Sequence, residues 1–291
     1  MAGIRSKVLV VLAAALALGA SASAASPDVA LMNLQADDVP GAKVVNEHTL
    51  KERGYLAAHV RSFAFAVPTG SARLVAIESE TKLAESPTLA RADVAIANKA
   101  FHSKAGRGAF IASIARQLKV KPNVVRAGAP RKVIGFDQSI EIPISIPFRD
   151  FRIYENLVFL SLDRVAVLIV ESGLRPITAA TTAKYTTAIA GHIGNELAPV
   201  AVSPPTVTGT AQQGQTLSAT PGGWTAPDAT FGFQWQRCDA AGANCAPVPG
   251  ATASTYVVTA ADVGSTLRVV VTATNRFGSA PGTSAQTAVV I

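Results

Sequence analysis

Glu78 and Glu80 stand two residues apart in the segment Ile77-Glu-Ser-Glu-Thr81. On an extended strand this spacing puts both carboxylates on one face, about 6.5 Å apart by strand rise. Carboxyl pairs at such separations can act on a glycosidic bond. Ser79 and Thr81 alternate with them and Lys82 follows, which is also the pattern of a solvated strand end, and the solvated reading is the expected one. His48 and His59 fall on successive predicted strands with Glu47 and Glu52 nearby. A metal set can be written from these four, but a zinc site wants a third spaced donor at least, so surface histidines are expected instead. An extracellular hydrolase would have to draw its acid and base from Glu78, Glu80 or His59. Motifs with firmer warrants are absent: there is no Gly-x-Ser-x-Gly and no His-Glu-x-x-His. Gly106-Arg-Gly108 lacks the third glycine and the preceding strand of a dinucleotide loop. The expectation is therefore no cofactor, no resident metal and a non-catalytic binding protein, with the hydrolase as the alternative.

Charge gives a stronger signal. Between Asp93 and Asp137 there is no acidic residue, while Lys99, Lys104, Arg107, Arg116, Lys119, Lys121, Arg126, Arg131 and Lys132 all fall in that interval. A face built from them attracts polyanions such as wall polymers, anionic lipid headgroups or nucleic acid. Phe101 and Phe110 are the aromatics there and both sit on apolar faces, so base stacking and specific nucleic-acid recognition are not expected. The plain alternative is a solvated positive face that keeps the domain soluble.

The elements that must carry these residues follow from the rest of the chain. Arg5 and Lys7 precede the apolar run Val8–Ala20, followed by Ser21-Ala-Ser-Ala-Ala25. This is the layout of a secretory leader cleaved near Ala24 or Ala25, and the run is shorter than the ~20 residues that span a bilayer. A secreted or cell-surface protein is expected. Cys238 and Cys245 are then expected to pair in an oxidising compartment, closing a short loop for roughly 2–3 kcal/mol. All four histidines lie before the proline-rich seam Ala198-Pro-Val-Ala-Val-Ser-Pro-Pro-Thr206, which leaves the cysteines no partners for a structural zinc. The seam reads as a stiff connector over 199–205, joining a first domain of residues 26–198 to a second of 206–291. From Ser203 onward three arginines balance three aspartates, so any electrostatic function belongs to the first domain.

In the first domain, strands are predicted at 43–48, 55–67 and 71–80. A helix follows from Ser86-Pro87, with Ser as N-cap and Pro in the first turn, and a second carries Phe110, Ile111, Ile114 and Leu118. Strand-like runs at 123–127, 131–136, 138–146, 151–162 and 164–171 come next. Tyr185, Ile189, Ile193 and Leu197 recur every four residues, which predicts a closing amphipathic helix over 176–197. Strands, two helices, strands and a helix without βαβ alternation argue an α+β antiparallel sheet with covering helices. In the second domain turn residues recur about every ten positions between alternating segments at 215–219, 230–237, 254–259, 265–274 and 284–291, the rhythm of an all-β sandwich. Leu267, Val269, Val271 and Ala273 should point inward.

Two resemblances accompany these readings. Phe231-Gly-Phe-Gln-Trp235-Gln-Arg-Cys238 and Ala261-Asp-Val-Gly264-Ser-Thr-Leu267-Arg-Val269 resemble the immunoglobulin-like repeats of secreted actinobacterial proteins over residues 204–291. The resemblance implies an immunoglobulin-like sandwich with Trp235 as its core tryptophan, and a role as spacer or adhesive accessory. The cysteines here are close in sequence and do not bridge two sheets; Val269 or Val271 stands where an antibody domain has its second cysteine. Trp224, between Pro221-Gly-Gly223 and Thr225-Ala-Pro227, is expected to plug the core at one end. Over residues 30–198, element order and Leu34-Gln-Ala-Asp-Asp-Val-Pro40-Gly41 resemble secreted domains of PsbP-like fold, which implies fold more than function.

Overall fold

The computed structural model describes residues 27–148, 150–226 and 228–291, so the predicted leader lies outside the described residues. The chain divides into two compact units, Met1–Glu196 and Leu197–Ile291. The protein is mostly antiparallel β-sheet with a few helices.

The first unit is built on a seven-stranded sheet of order β1-β2-β3-β7-β6-β5-β4. Its strands are β1 (Ala42–Leu50), β2 (Tyr55–Thr69), β3 (Leu74–Ala84), β4 (Arg126–Ala127), β5 (Gln138–Phe148), β6 (Phe151–Leu162) and β7 (Val165–Gly173). Two meanders, β1-β2-β3 and β5-β6-β7, join where β3 meets β7, with Ile77 opposite Glu171. Gly54 closes the first hairpin at φ +85°, and a Cβ there would stand 2.7 Å from the Leu89 side chain; only glycine suits both demands. Pro143 and Pro147 alternate with Ser145 along β5, whose other neighbour is the two-residue β4 at Ser145 and Ile144. Their missing N–H groups therefore fall on the nearly open edge, where proline costs the ladder nothing.

Helices cover both faces. On one face lie α2 (Pro87–His102) and α3 (Lys104–Leu118); α2 is capped by the Ser86 hydroxyl, which accepts from Leu89 N–H. Val94, Ala97 and Phe101 of α2 pack with Ile114 and Ala115 of α3 on Ile140, Ile142, Ile144, Ile146 and Leu157. Every second residue of β5 thus enters that core. The opposite face takes α4 (Ala179–Leu197), whose Tyr185, Ile189, Ile193 and Leu197 are buried. It also takes the N-terminal stretch with the short helix α1 (Val29–Met32), which buries Met32, Leu34 and Val39 completely. Asn33 holds this stretch down: its amide nitrogen donates to the carbonyls of His59 and Ser79, on adjacent strands.

One sequence expectation fails in this unit, and another, the strand at 123–127, shrinks to Arg126–Ala127 after a 3-10 turn at Pro122–Val124. Residues 131–136 form no strand beyond a single bridge between Arg131 and Glu141. Gly135 takes φ +94°, and the Ser139 hydroxyl, accepting from Val133 N–H and donating to its carbonyl, folds the segment into a loop. The second helix begins at Lys104, well before its first apolar residue, because the Ser103 hydroxyl caps it by accepting from Gly106 N–H.

In the second unit the strands are β8 (Ala201–Ser203), β9 (Thr206–Thr208), β10 (Thr216–Thr220), β11 (Gly223–Trp224), β12 (Thr230–Cys238), β13 (Ala246–Pro247), β14 (Thr255–Val257), β15 (Thr266–Asn275) and β16 (Gly278–Thr283). They form sheets of order β13-β12-β15-β16, β14-β10-β9 and β11-β8. Leu267, Val269, Val271 and Ala273 are fully buried, and Leu217, Trp235, Val258 and Val290 join the first three in one core. Trp235 donates from Nε1 to the Ala253 carbonyl and stacks on Tyr256, so its polar end is satisfied. Cys238 and Cys245 form a disulfide. Trp224 is half-buried, donates to the Pro221 carbonyl and lies 6.2 Å from the Phe231 ring. The stretch read as a bare connector contributes β8, which pairs with β11. The terminal strand lies at 278–283; residues 284–291 are tied in only by isolated bonds such as Thr287 N–H to the Leu267 carbonyl.

Candidate anion-binding margin and buried carboxyl pair

The structure separates the residues first suspected of chemistry. Glu78 and Glu80 share one face of β3, while His59 points to the other, the face it shares with Glu47, Arg61 and Ser79. Burial lifts both carboxyls above their ordinary range. Each has a specific partner: Glu78 accepts from the Ser62 hydroxyl at 2.9 Å, and Glu80 pairs with Lys82, which also reaches Glu52 at 3.0 Å and Asp93 at 3.3 Å. This is a closed ion cluster under α2. His48 and His59 cannot share a metal, because their register puts them on opposite faces of the β1–β2 pair: Thr49, not His48, lies opposite His59. Among the described residues no group of three or more His, Cys, Asp or Glu side chains could hold a metal ion.

His59 has a structural setting. It is buried; Nε2 lies 3.1 Å from Glu47, and Nδ1 lies 3.1 Å from the Asn33 side-chain amide nitrogen, whose two hydrogens are shared among this ring nitrogen and the His59 and Ser79 carbonyls. Burial and the neighbouring Arg61 hold the ring below the usual imidazole range against the pull of Glu47. Arg61 continues the network to the Leu34 carbonyl and the Gln35 amide oxygen. These side chains anchor the N-terminal stretch.

The basic interval runs along one margin of the first unit: α3, then a 3-10 turn at Pro122–Val124, then β4 on the sheet edge. Lys104, Arg116, Lys119, Lys121, Arg126 and Lys132 are exposed, and no ion pair engages them among the described residues. Two of the predicted binding residues are committed inward. Arg107 donates to the Phe101 carbonyl at 2.6 Å, closing the end of α2, a favourable place for a cation. Arg131 pairs with Glu141.

Glu141 leads to a set of residues the sequence did not flag. On the α4 face, Glu141 of β5 and Glu171 of β7 are both essentially fully buried. They share two donors: Asn156 Nδ2 lies 2.6 Å from Glu141 and 3.3 Å from Glu171, and the Thr182 hydroxyl lies 2.6 Å from Glu171 and 3.4 Å from Glu141. One oxygen of Glu171 has no partner. Burial pushes the Glu171 carboxyl up to about 7 against the bonds from Thr182 and Asn156, with Glu141 adding to the rise. Nearby Tyr185 is pushed up to about 12 by burial and by Glu171. On the other face Glu155 is also buried with an unpaired oxygen, and burial pushes it to about 7 against a bond from Ser172. Two acids this close in a medium of low dielectric resist ionising together.

A cavity of about 420 Å3 opens beside Arg131, between the last turns of α2 and the 130–140 segment. Asn98, His102, Lys132 and Gln138 line it with Arg131.

No protein-family model matches the chain, and no curated protein matches it. Among solved structures, the extracellular domain of PknH from Mycobacterium tuberculosis aligns at 10% identity with a TM-score of 0.38, over 58% of this chain and 97% of that one. A likeness of that degree carries no functional inference. Among the described residues, no helix is long and apolar enough to cross a membrane.

Proposed function

We propose that this protein is a secreted or cell-envelope binding protein whose first domain holds an anionic polymer on the α3–β4 margin, without catalysing a reaction. In this reading the chain is an α+β domain of residues 26–198, exported by the leader and followed by an immunoglobulin-like sandwich that spaces it from, or adds adhesion to, the surface where it works. The observation that carries the proposal is the run of exposed, unpaired cations at Lys104, Arg116, Lys119, Lys121, Arg126 and Lys132, in an interval with no acid between Asp93 and Asp137. Such a stripe concentrates polyanions through a field that salt screens. Lys104 supports it further: α3 has no acidic residue in its first turn and starts with a lysine, the reverse of what the helix dipole favours, so that end is left receptive to negative charge.

Against the hydrolase alternative stand the partners of its candidate acids: Glu78 accepts from the Ser62 hydroxyl, Glu80 pairs with Lys82, and His59 faces the other side of the sheet. The polymer reading is tested by retention of the full chain on an anionic polymer such as immobilised polyuronate or polyphosphate across a salt series. Reversing Arg116, Lys119, Lys121 and Arg126 to glutamate should lower retention on the order of tenfold or more at low salt and flatten its salt dependence. Retention that ignores both salt and the reversal overturns the proposal.

A further inference from the structure

The segment after β4 carries the charge of the margin along the sheet edge to an apolar point. Arg126 and Ala127 pair with Ser145 and Ile144 of β5, and Arg131 exchanges both backbone bonds with Glu141 at 2.8 Å. The chain then turns out through Lys132-Val-Ile-Gly-Phe136 before β5 begins at Gln138. Both feet of this turn are fixed. The Ser139 hydroxyl bonds the N–H and the carbonyl of Val133. Asp137 N–H donates to the Ser161 carbonyl at 2.9 Å, and its carboxylate accepts from Asp163 N–H at 2.7 Å. Gly135 bends the backbone at φ +94°, a conformation that side chains disfavour.

At the point of the turn Ile134 is 92% exposed, more than any other large apolar side chain among the described residues. Val133 and Phe136 flank it half-buried. A single apolar side chain on a surface needs no explanation, but Ile134 is set apart by its surroundings. The turn that presents it is pinned, its flanks are apolar, and exposed Lys132 and Arg126 stand beside it on a stretch with no acid between Asp93 and Asp137. Arg131 is committed to Glu141 and Asp137 to the inner foot, so Lys132 and Arg126 are the cations that a partner would meet.

Three kinds of partner differ in what they offer such a turn. A hydrated polyanion satisfies the cations and has no apolar phase for Ile134. A protein partner wants a face of about 800 Å2, which a projecting five-residue turn does not present. An anionic bilayer offers both halves at once, with headgroup phosphates for lysine and arginine and acyl chains directly beneath them for isoleucine. We propose that the 132–136 turn is a docking point for an anionic lipid surface, with Ile134 entering the headgroup boundary while Lys132 and Arg126 stay at the level of the phosphates. The long lysine stem allows that division of depth. This goes beyond the polymer reading and stands on a separate observation.

Flotation of the full chain with vesicles tests it. Binding to vesicles of phosphatidylglycerol and phosphatidylcholine should be about tenfold or more stronger than to phosphatidylcholine alone and should weaken as salt rises. Ile134→Asp should lower partitioning about tenfold or more, and Lys132→Glu about tenfold. Ile134→Trp reads depth directly, because both native tryptophans, Trp224 and Trp235, lie in the second unit. The introduced indole should shift to the blue on anionic vesicles and be quenched by brominated acyl chains. Absence of binding at low salt, binding indifferent to Ile134→Asp, or an introduced indole that stays unquenched on bound vesicles overturns the docking point. On immobilised polyphosphate Ile134→Asp should be retained like the wild type. Polymer retention that ignores the margin reversals while vesicle binding still requires Ile134 sinks the polymer reading alone.

Discussion

Each unit buries a carboxylate, and the two are treated in opposite ways. In the second unit Asp262 is fully buried, and both its oxygens are occupied: Arg237 at 2.7 Å, the Tyr256 hydroxyl at 2.8 Å, and the Thr259 N–H and hydroxyl at 2.7 Å. Burial pushes this carboxyl up, but those bonds together outweigh it and hold it below the usual aspartate range. In the first unit Glu171 is equally inaccessible to water, shares its donors with a second acid, keeps one oxygen unpaired and is lifted to about 7. Neither side chain meets water, but Glu171 lies deeper in the fold and lacks a cation of its own, so depth, the supply of donors and the Arg237 charge together decide which form of the acid the protein holds. A saturated carboxylate fastens a fold, while an undersupplied one is available to respond.

The sharpest way to break this contrast is Asp262→Ala. It strands Arg237, Tyr256 and Thr259 and should destabilise the second unit by about 3–4 kcal/mol in urea unfolding; a loss under about 1 kcal/mol would mean the saturated network does little. Next in size is Asn33→Ala, which orphans the buried Ser79 hydroxyl and the strand carbonyls it served. We expect about 2–3 kcal/mol lost from the first unit, with faster proteolysis at the N-terminal stretch as the local readout.

The acids also set opposite pH responses. Asp262 is depressed, so its stabilisation is complete above about 4 and is lost as pH falls through its folded value. Glu171 is raised from 4.5 to about 7, so the native state holds the extra proton in that window, and stability falls as pH rises from about 4.5 to about 7. Glu155 adds a slope of the same sign. Glu171→Gln should therefore remove roughly half of that decline and raise stability above pH 7 on the order of 1–2 kcal/mol, while leaving the second unit's acid transition untouched. A decline unchanged in the variant would place the titration elsewhere. The smallest stability effect belongs to the margin: reversing Arg116, Lys119, Lys121 and Arg126 should shift unfolding by no more than about 0.5 kcal/mol while changing polymer retention strongly.

The second unit was the more legible in sequence because its chemistry is local. Tyr256, Thr259 and Asp262 fall within one turn of chain, and one-sided burial makes β15 alternate cleanly. The first unit hides its most unusual feature for the opposite reason. Its central strands are covered by helices on both faces, so an acid alternating with apolar residues, as Glu141 does between Ile140 and Ile142, reads as a solvent-facing position when it is buried. Glu171 follows the apolar run Val165–Val170 and reads as a strand end. The usable signal was an acid inside a β-branched run, but its partners Asn156 and Thr182 become neighbours only through register and through α4. The loop at 131–136 misled for a local reason: Val133 and Ile134 have strand-forming side chains, while Gly135 and the Ser139 hydroxyl fix the backbone otherwise.

The docking of the N-terminal stretch bears on how the chain matures. Asp28 N–H donates to Glu196 and Asp38 meets His192, so residues among the first to leave the ribosome find their partners only after the last helix of the unit has been made. Until then those two contacts stay unmade, and the N-terminal stretch is held by β2 and β3. Completion of the unit is thus deferred until nearly its whole length exists.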